Sequence, residues 1–262
     1  ALERAQQRAE FGGKATQWGA CLAAGLPVPT GLALSAAGVR AALNRDRLVL
    51  DQIEWTFGDG PVAVRSSGLD EDGAQASFAG AHQSLLGQRG LAMILAALDA
   101  VQRSGRTEAA LAYRRGLGLS ESTEMAAVLQ HMVAADVAGV MFTRNPVTDR
   151  DERVIEASWG LGESVVAGLV TPDHYRLEPG GRLIERTLGE KDLSIVLAPD
   201  GGTHEVAEAR LAEFCLTPSQ LRSLDRLAGA CDQVFGTSRH DIEFAFCDES
   251  VYLLQRRPIT RG

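Results

Sequence analysis

The feature that most restricts the fold of this chain is a pair of alternating apolar and polar segments near its C-terminal end, 241–246 and 251–257. Successive side chains of a β-strand point to opposite faces, so this alternation predicts two half-buried strands. The apolar faces are expected to contain Ile242, Phe244 and Phe246 from the first strand, and Tyr252 and Leu254 from the second.

The polar residues of the two strands determine how the strands pair. If residues 248–250 form the loop, Glu243 lies opposite Gln255 and Asp241 lies opposite Arg257. A slip of one residue would turn every side chain to the wrong face. Carboxylate and amide oxygens suit Mg²⁺, and the guanidinium fork suits phosphate. The pattern predicts a platform for a metal and a phosphate, and a half-exposed hairpin with surface charges is the alternative.

Composition narrows the class of protein. The chain has 262 residues, 45% of them hydrophobic, and a net charge of −8. This length allows one large domain or two lobes with an ample core. The acidic balance does not favour nucleic acid or a membrane as partner, and no apolar run approaches the roughly 18 residues that span a bilayer. The polar N-terminal segment and four scattered cysteines predict a cytoplasmic protein with reduced thiols.

Local patterns predict mixed helices and strands, and hence the α+β class. Apolar periodicity and capping residues predict helices at 1–26 (interrupted near 11–14), 35–44, 90–117, 163–169 and 217–235. Strands are expected at 61–65, 125–133, 138–144, 154–157, 174–177 and 182–187, followed by the closing hairpin.

Two short motifs suggest phosphate contacts. Gly12-Gly13-Lys14 is a flexible backbone followed by a cation, but it lacks the P-loop spacing, so a solvent-facing lysine is the alternative. Arg65 ends an apolar strand beside two serines, a position that favours an anion. The small side chains at 77–80 would let backbone N–H groups approach phosphates.

Three further positions have a functional and a structural interpretation. Residues 130–133 end a strand and suit adenine, with Met132 covering the base, although an ordinary core strand has the same pattern. Glu163 follows a glycine turn, where it would hold a ribose or a lysine, or favour the helix dipole. Lys191 would reach a phosphate or lie at the surface.

Taken in order, these segments resemble the ATP-binding domain of the phosphoenolpyruvate synthase and pyruvate phosphate dikinase family, which includes rifampin phosphotransferase. The matching segments are 12–14 with 25–29, 63–67, 76–80, 128–132, 139–146, 156–163, and 241–243 with 254–260. The resemblance implies an ATP-grasp fold with two lobes that clamp ATP between them. Lobe 1–122 would carry the phosphate-binding lysine and arginine, and lobe 123–262 the adenine strand and the metal-binding hairpin.

The resemblance also implies a role for each matching residue. Lys14, Arg65 and Arg257 would contact the ATP phosphates and be catalytic. The other implied positions are a phosphate-covering loop (Ser77, Phe78, Ala79, Gly80), an adenine site (Gln130, Met132, Val133), Mg²⁺ ligands (Glu243 and Gln255, supported by Asp241) and two further nucleotide contacts (Glu163, Lys191). Phosphoryl transfer needs mainly positioning and charge neutralisation, which a metal, lysine and arginine supply.

In the family, the ATP domain phosphorylates a histidine on a separate swivelling domain, within a Thr-Ser-His or Thr-Cys-His motif. Neither tripeptide occurs in this sequence, and Gly201-Gly-Thr-His204 is a partial match in a predicted loop. The expected function is therefore ATP cleavage with transfer to a histidine carrier, on the same longer protein or another chain, and onward to pyruvate, an antibiotic or another small acceptor. A self-sufficient kinase or ligase acting directly on a small molecule and a non-catalytic nucleotide-binding module remain alternatives.

Overall fold

The structure is a computed structural model that describes residues 1–68, 84–116 and 125–259. The chain divides into two compact units. The first contains Ala1–Ala23, Thr30–Met132 and Pro199–Gly202, and the second contains Ala24–Pro29, Val133–Ala198 and Thr203–Gly262. Helices and strands occur in both units, which confirms the predicted α+β class.

The described part of the first unit packs helices on one antiparallel sheet. The helices are a 3-10 helix (Leu2–Arg4), α1 (Arg8–Ala23), α2 (Ala36–Leu43), α3 (Arg47–Phe57), α4 (Gly90–Ser104) and α5 (Glu108–Gly116). The strands are β1 (Gly31–Leu34), β2 (Val62–Ser67), β3 (Ser84–Gln88) and β4 (Ala126–His131), in the order β1-β4-β2-β3. The core lies where α2, α3 and α4 cover this sheet, and Leu98, Val64 and Leu129 are fully buried there.

The pairing of β4 extends the first unit beyond the predicted boundary between residues 122 and 123. In this strand Leu129 lies opposite Leu32 of β1 on one side and Val64 of β2 on the other. Because both edges of β4 are paired within the first sheet, the first unit continues to Met132. The predicted adenine strand therefore belongs mainly to the first unit.

The second unit is built on a six-stranded antiparallel sheet in the order β12-β11-β5-β6-β7-β8. Its strands are β5 (Val137–Phe142), β6 (Arg153–Trp159), β7 (Asp173–Leu177), β8 (Leu183–Thr187), β11 (His240–Cys247) and β12 (Ser250–Pro258). The helices are α6 (Glu163–Val166) and α7 (Pro218–Phe235), and β9 (Leu193–Leu197) pairs with β10 (Thr203–Ala207). His204 is an exposed residue of β10, so its predicted placement in a loop was wrong.

Helix α7 begins and ends where the sequence predicts. The Thr217 hydroxyl accepts a hydrogen bond from the Gln220 backbone N–H (3.2 Å), and the Gln220 amide oxygen accepts one from the Thr217 N–H (2.9 Å). This reciprocal capping box satisfies two backbone donors that the first turn would otherwise leave unbonded. The helix ends at Gly236, whose φ of 64° is in the left-handed region.

The cysteines differ in burial. All four are free thiols, three of them buried as the sequence predicted, whereas Cys247 is partly exposed. Within the described ranges, no helix has the length and apolarity needed to cross a membrane.

Strand β5 lies in the interior of the second sheet and depends on a glycine. Gly139 is paired with Phe244 of β11 and with Ala157 of β6. A Cβ atom at this position would overlap the carbonyl oxygen of Glu156 and lie 2.8 Å from the Cα atom of Ala157. Both are backbone atoms of the paired strand, which cannot move away without breaking ladder hydrogen bonds.

We therefore expect Gly139→Ala to lower the free energy of unfolding by about 1–3 kcal/mol, the usual range for overpacking. Gly229→Ala is the control, because a Cβ atom there meets no atom within 4 Å and alanine favours the α7 helix. Urea denaturation followed by circular dichroism measures both. Equal stability of the two variants would contradict the close approach of β5 and β6.

Candidate active site

The hairpin of β11 and β12 brings together the residues that the sequence predicts. Asp241 lies opposite Arg257 and Glu243 opposite Gln255, as expected from the alternation. The turn is shorter than predicted, because the strands close over 248–249 and Ser250 already belongs to β12.

A β-bulge reconciles the shorter turn with the predicted pairs. Phe244 pairs with Leu253, whereas the preceding Glu243 pairs with Gln255, so Leu254 is the extra residue. If the register continued from the two-residue turn without the bulge, Glu243 would lie opposite Leu254 and the polar pairs would be separated.

The bulge also changes the apolar face of β12. Leu253 is fully buried opposite Phe244, whereas Tyr252 and Leu254 are only partly buried. The prediction that Tyr252 and Leu254 form the apolar face was wrong, because it assumed a loop that is one residue too long and a strand without a bulge.

The polar side chains of the hairpin contact one another. Nη2 of Arg257 lies 3.7 Å from Oε1 of Glu243. With the Gln255 amide oriented so that its oxygen faces the guanidinium, this oxygen accepts hydrogen bonds of 2.6 Å from Nε and Nη2 of Arg257. The Arg257 side chain is 52% exposed and that of Glu243 is 22% exposed. The hairpin therefore presents an accessible guanidinium beside a partly buried carboxylate and the amide of a buried glutamine.

The electrostatics of Asp241 fit a site for a cation. Burial raises the pKa of its carboxyl, Glu243 raises it further, and Arg257 lowers it. A divalent ion would favour the ionised form of both carboxylates. Among the described residues, the structure contains no group of three or more His, Cys, Asp or Glu placed to hold a metal, so a site here depends on two carboxylates and an amide.

In the first unit, a glycine lets α1 approach the end of β2. Gly12 interrupts the helix with a φ of 79° and a ψ of 173°. A Cβ atom at Gly12 would lie 2.5 Å from Oγ of Ser67 and 2.7 Å from the carbonyl oxygen of Gly68. Any other residue would therefore be strained by its backbone conformation and would displace the helix from the strand.

Three hydrogen bonds join α1 to β2 immediately after this glycine. The Gly13 N–H donates to the carbonyl of Gly68 (3.2 Å), the Ala15 N–H donates to Oγ of Ser67 (3.2 Å), and Nζ of Lys14 donates to the carbonyl of Ser66 (3.4 Å). Arg65 follows on the same strand, with its guanidinium carbon 5.5 Å from the ring centroid of Trp18. The structure thus brings the predicted phosphate contacts Lys14 and Arg65 onto adjoining elements.

The predicted adenine contacts are partly engaged within the protein. Gln130 is buried in β4, and the Met132 N–H donates to the carbonyl of Pro61 (2.9 Å). The carbonyl of Val133 accepts a hydrogen bond from the Ala135 N–H (2.9 Å). An adenine site at these residues stays a prediction. Residues Ser77, Phe78, Ala79 and Gly80, predicted to cover the phosphates, lie outside the described residues.

Lys191 is buried in the second unit and does not lie at its surface. Its Nζ donates to Oδ1 of Asp173 at 2.5 Å, and both side chains are fully buried. The carboxylate of Asp173 also accepts hydrogen bonds from the N–H groups of Gly189 (2.9 Å) and Cys215 (2.7 Å). The charge of the lysine is therefore neutralised by an aspartate that no sequence motif indicated, and its contact with a nucleotide stays a prediction.

Glu163 begins α6, as expected, but the structure does not join it to the hairpin residues. Its Oε2 atom is buried and has no hydrogen-bond partner among the described residues. The ribose or lysine partner proposed for this carboxylate stays a prediction.

The family model for the pyruvate phosphate dikinase AMP/ATP-binding domain matches residues 47–262. The chain belongs to this family. The matched range contains Arg65 and the whole hairpin, and Lys14 precedes it. The family predicted from the sequence, an ATP-binding domain of the pyruvate phosphate dikinase type, is confirmed.

Three relatives show how much of a longer protein this domain represents. The prodigiosin synthesizing transferase PigC of Serratia marcescens is 36% identical over 282 residues, which cover 95% of this chain and 31% of that protein. A probable phosphoenolpyruvate synthase of Methanothermobacter thermautotrophicus is 40% identical over 76% of this chain and 29% of its own length. The rifampicin phosphotransferase of Streptomyces sviceus is 37% identical over 76% of this chain and 23% of its own length. This ATP-binding domain therefore spans less than a third of each of these relatives.

Gly12→Ala tests the close approach of α1 and β2 in this ATP-binding domain. The substitution should lower the free energy of unfolding by about 1–3 kcal/mol, because it combines a strained φ with overlap of backbone atoms. Gly38→Ala in α2 is the control, because its nearest atom would be 3.6 Å away, an ordinary contact. Thermal or urea denaturation measures the difference, and a Gly12→Ala variant as stable as the control would be inconsistent with the observed contact.

Lys191→Met distinguishes a structural lysine from a phosphate contact. The variant leaves the Asp173 carboxylate buried without its counter-charge, which should cost about 3–5 kcal/mol of unfolding free energy. Adding Asp173→Asn to Lys191→Met should restore part of this loss. A variant that keeps its stability but loses affinity for ATP would instead support the predicted phosphate contact.

Proposed function

We propose that this domain cleaves ATP with Mg²⁺ and passes a phosphoryl group to a histidine carrier domain, on the same longer protein or on another chain. From the carrier the group would go to pyruvate, an antibiotic or another small acceptor. The observation that carries the proposal is the hairpin, in which Asp241, Glu243, Gln255 and Arg257 share one register. Carboxylate and amide oxygens with an accessible guanidinium suit a metal-bound phosphate.

Mg²⁺ would be held by Glu243 and Gln255, with Asp241 in support, and would supply charge neutralisation at the phosphate oxygens. With the Gln255 amide oriented toward Arg257, its oxygen accepts two hydrogen bonds from the guanidinium, and one of them would be given up when this oxygen binds Mg²⁺. Nη2 of Arg257 lies 3.7 Å from Oε1 of Glu243, which is longer than a normal hydrogen bond. Glu243 therefore does not use up the N–H donors of the guanidinium. The half-exposed guanidinium can therefore donate to a phosphate.

Lys14 and Arg65 supply the further positive charge that the proposal needs. A phosphoryl group in transfer spreads negative charge over its equatorial oxygens, and fixed cations stabilise that charge without reorganisation. Contacts between α1 and β2 hold both side chains. The ammonium of Lys14 donates to the carbonyl of Ser66, and the guanidinium of Arg65 lies over the ring of Trp18. The positions are consistent with contacts to the phosphates of ATP.

The names of the relatives support the idea that this domain cleaves ATP and that another part of the protein selects the acceptor. Their names describe a prodigiosin synthesizing transferase, a probable phosphoenolpyruvate synthase and a rifampicin phosphotransferase, although each matches this chain at 36–40% identity. Because the names differ in product while this part is shared, we infer that the acceptor is selected outside this domain.

We expect Glu243→Ala and Arg257→Ala each to lower ATP turnover by about 100-fold or more while leaving the domain folded, since each removes charge from the site of transfer. Glu249→Ala is the matched control, because its carboxylate lies in the turn of the same hairpin and contacts Ser219 at 3.2 Å. Turnover is measured with Mg²⁺ and ATP, and circular dichroism checks the fold. Normal turnover in either site variant would refute the site.

The nature of the phosphoryl acceptor is tested by identifying the nucleotide product with and without a histidine carrier domain from a relative. Formation of AMP only when the carrier is present would support the proposal. Turnover without a carrier but dependent on a small molecule would identify a self-sufficient kinase or ligase. Bound ATP without turnover under any condition would favour a non-catalytic module.

A further inference from the structure

The contacts of α1 with β2 and with the glycine that follows this strand include one aromatic ring. Their order is largely reversed along the two segments: Gly13 meets Gly68, Lys14 meets Ser66, Ala15 meets Ser67, and Trp18 meets Arg65. The helix therefore runs antiparallel to the strand, and the ring of Trp18 forms the last contact of the series.

The spacing of these residues explains why the ring and the two cations lie where α1 adjoins β2. Lys14 and Trp18 are four residues apart in a helix and therefore lie on one face. Arg65 and Ser67 are two residues apart in a strand and also share a face. One side of α1 thus meets one side of β2, and the contact places both cationic side chains at this junction.

Trp18 is well suited to hold an arginine in one orientation. The ring is only 3% exposed, so it is fixed by the surrounding protein, whereas Arg65 is partly exposed. The guanidinium carbon lies 5.5 Å from the ring centroid, within the range of a cation–π contact. Tryptophan gives the strongest such contact among aromatic residues, and a planar guanidinium keeps its charge and its donors while it lies over a ring.

We propose that Trp18 is a positioning residue that orders the Arg65 guanidinium before phosphate binds. This inference rests on the proposed function, because it assigns Arg65 to the phosphates of ATP. A guanidinium already held on a ring loses less side-chain freedom when the nucleotide arrives, so affinity for nucleotide increases. Trp18 itself does not touch the phosphate, and its effect depends on Arg65.

The experiment measures binding of β,γ-methylene-ATP with Mg²⁺ by calorimetry, which requires neither a carrier nor turnover. Trp18→Leu should weaken binding about five- to thirtyfold, and Trp18→Phe should lie between Trp18→Leu and the unaltered chain. In an Arg65→Lys background, Trp18→Leu should weaken binding by a smaller factor than in the unaltered chain, because lysine keeps a cation–π contact but has no planar group to stack on the ring.

Cys21→Ala is the control for packing of α1, because Cys21 is 1% exposed on the same helix. It should lower stability without a comparable loss of affinity. If Trp18→Leu does not fold, Trp18→Phe alone and in the Arg65→Lys background provides the same comparison.

The outcomes separate the two proposals. If the unaltered chain does not bind the nucleotide, the proposed function fails. If it binds, but Trp18→Leu and Trp18→Phe retain full affinity or lose the same amount in the Arg65→Lys background, the positioning role of Trp18 is refuted and the proposed function stands.

Discussion

The pairing of β11 with β12 is the constraint on which the candidate site depends. The two-residue turn and the bulge at Leu254 each shift the register by one residue, and together they restore the pairing of Glu243 with Gln255. Because side chains alternate along a strand, loss of either the two-residue turn or the bulge would turn the carboxylates and the guanidinium to opposite faces. Leu253, fully buried opposite Phe244, provides the packing that opposes such a slip.

Lys191 and Arg257 differ in burial and in how closely an acidic partner contacts them. Lys191 is fully buried, and Asp173 neutralises its charge, while two backbone N–H groups complete the hydrogen bonding of the carboxylate. Arg257 is half-exposed, and its contact with Glu243 is long. A buried charge needs a close partner to offset desolvation, so Lys191 is suited to stability, whereas an exposed guanidinium keeps donors for a ligand.

The two groups of candidate phosphate contacts are built by different means. In the second unit, strand alternation together with the bulge at Leu254 brings Asp241, Glu243 and Arg257 to one face. In the first unit, Lys14 and Arg65 lie on adjoining elements because Gly12 allows a helix to approach a strand more closely than a side chain would permit. The first arrangement repeats every two residues along the chain, whereas the second joins residues about 50 positions apart.

The sequence by itself determined the features that depend on neighbouring residues: the polar pairs of the hairpin, the capped helix α7 and the α+β class. It did not indicate β1 or β3, because neither segment alternates apolar with polar residues. Only the tertiary structure decided the bulge at Leu254, the place of β4 between β1 and β2, and the burial of Lys191. These features depend on partners distant in sequence, whose packing no local pattern contains.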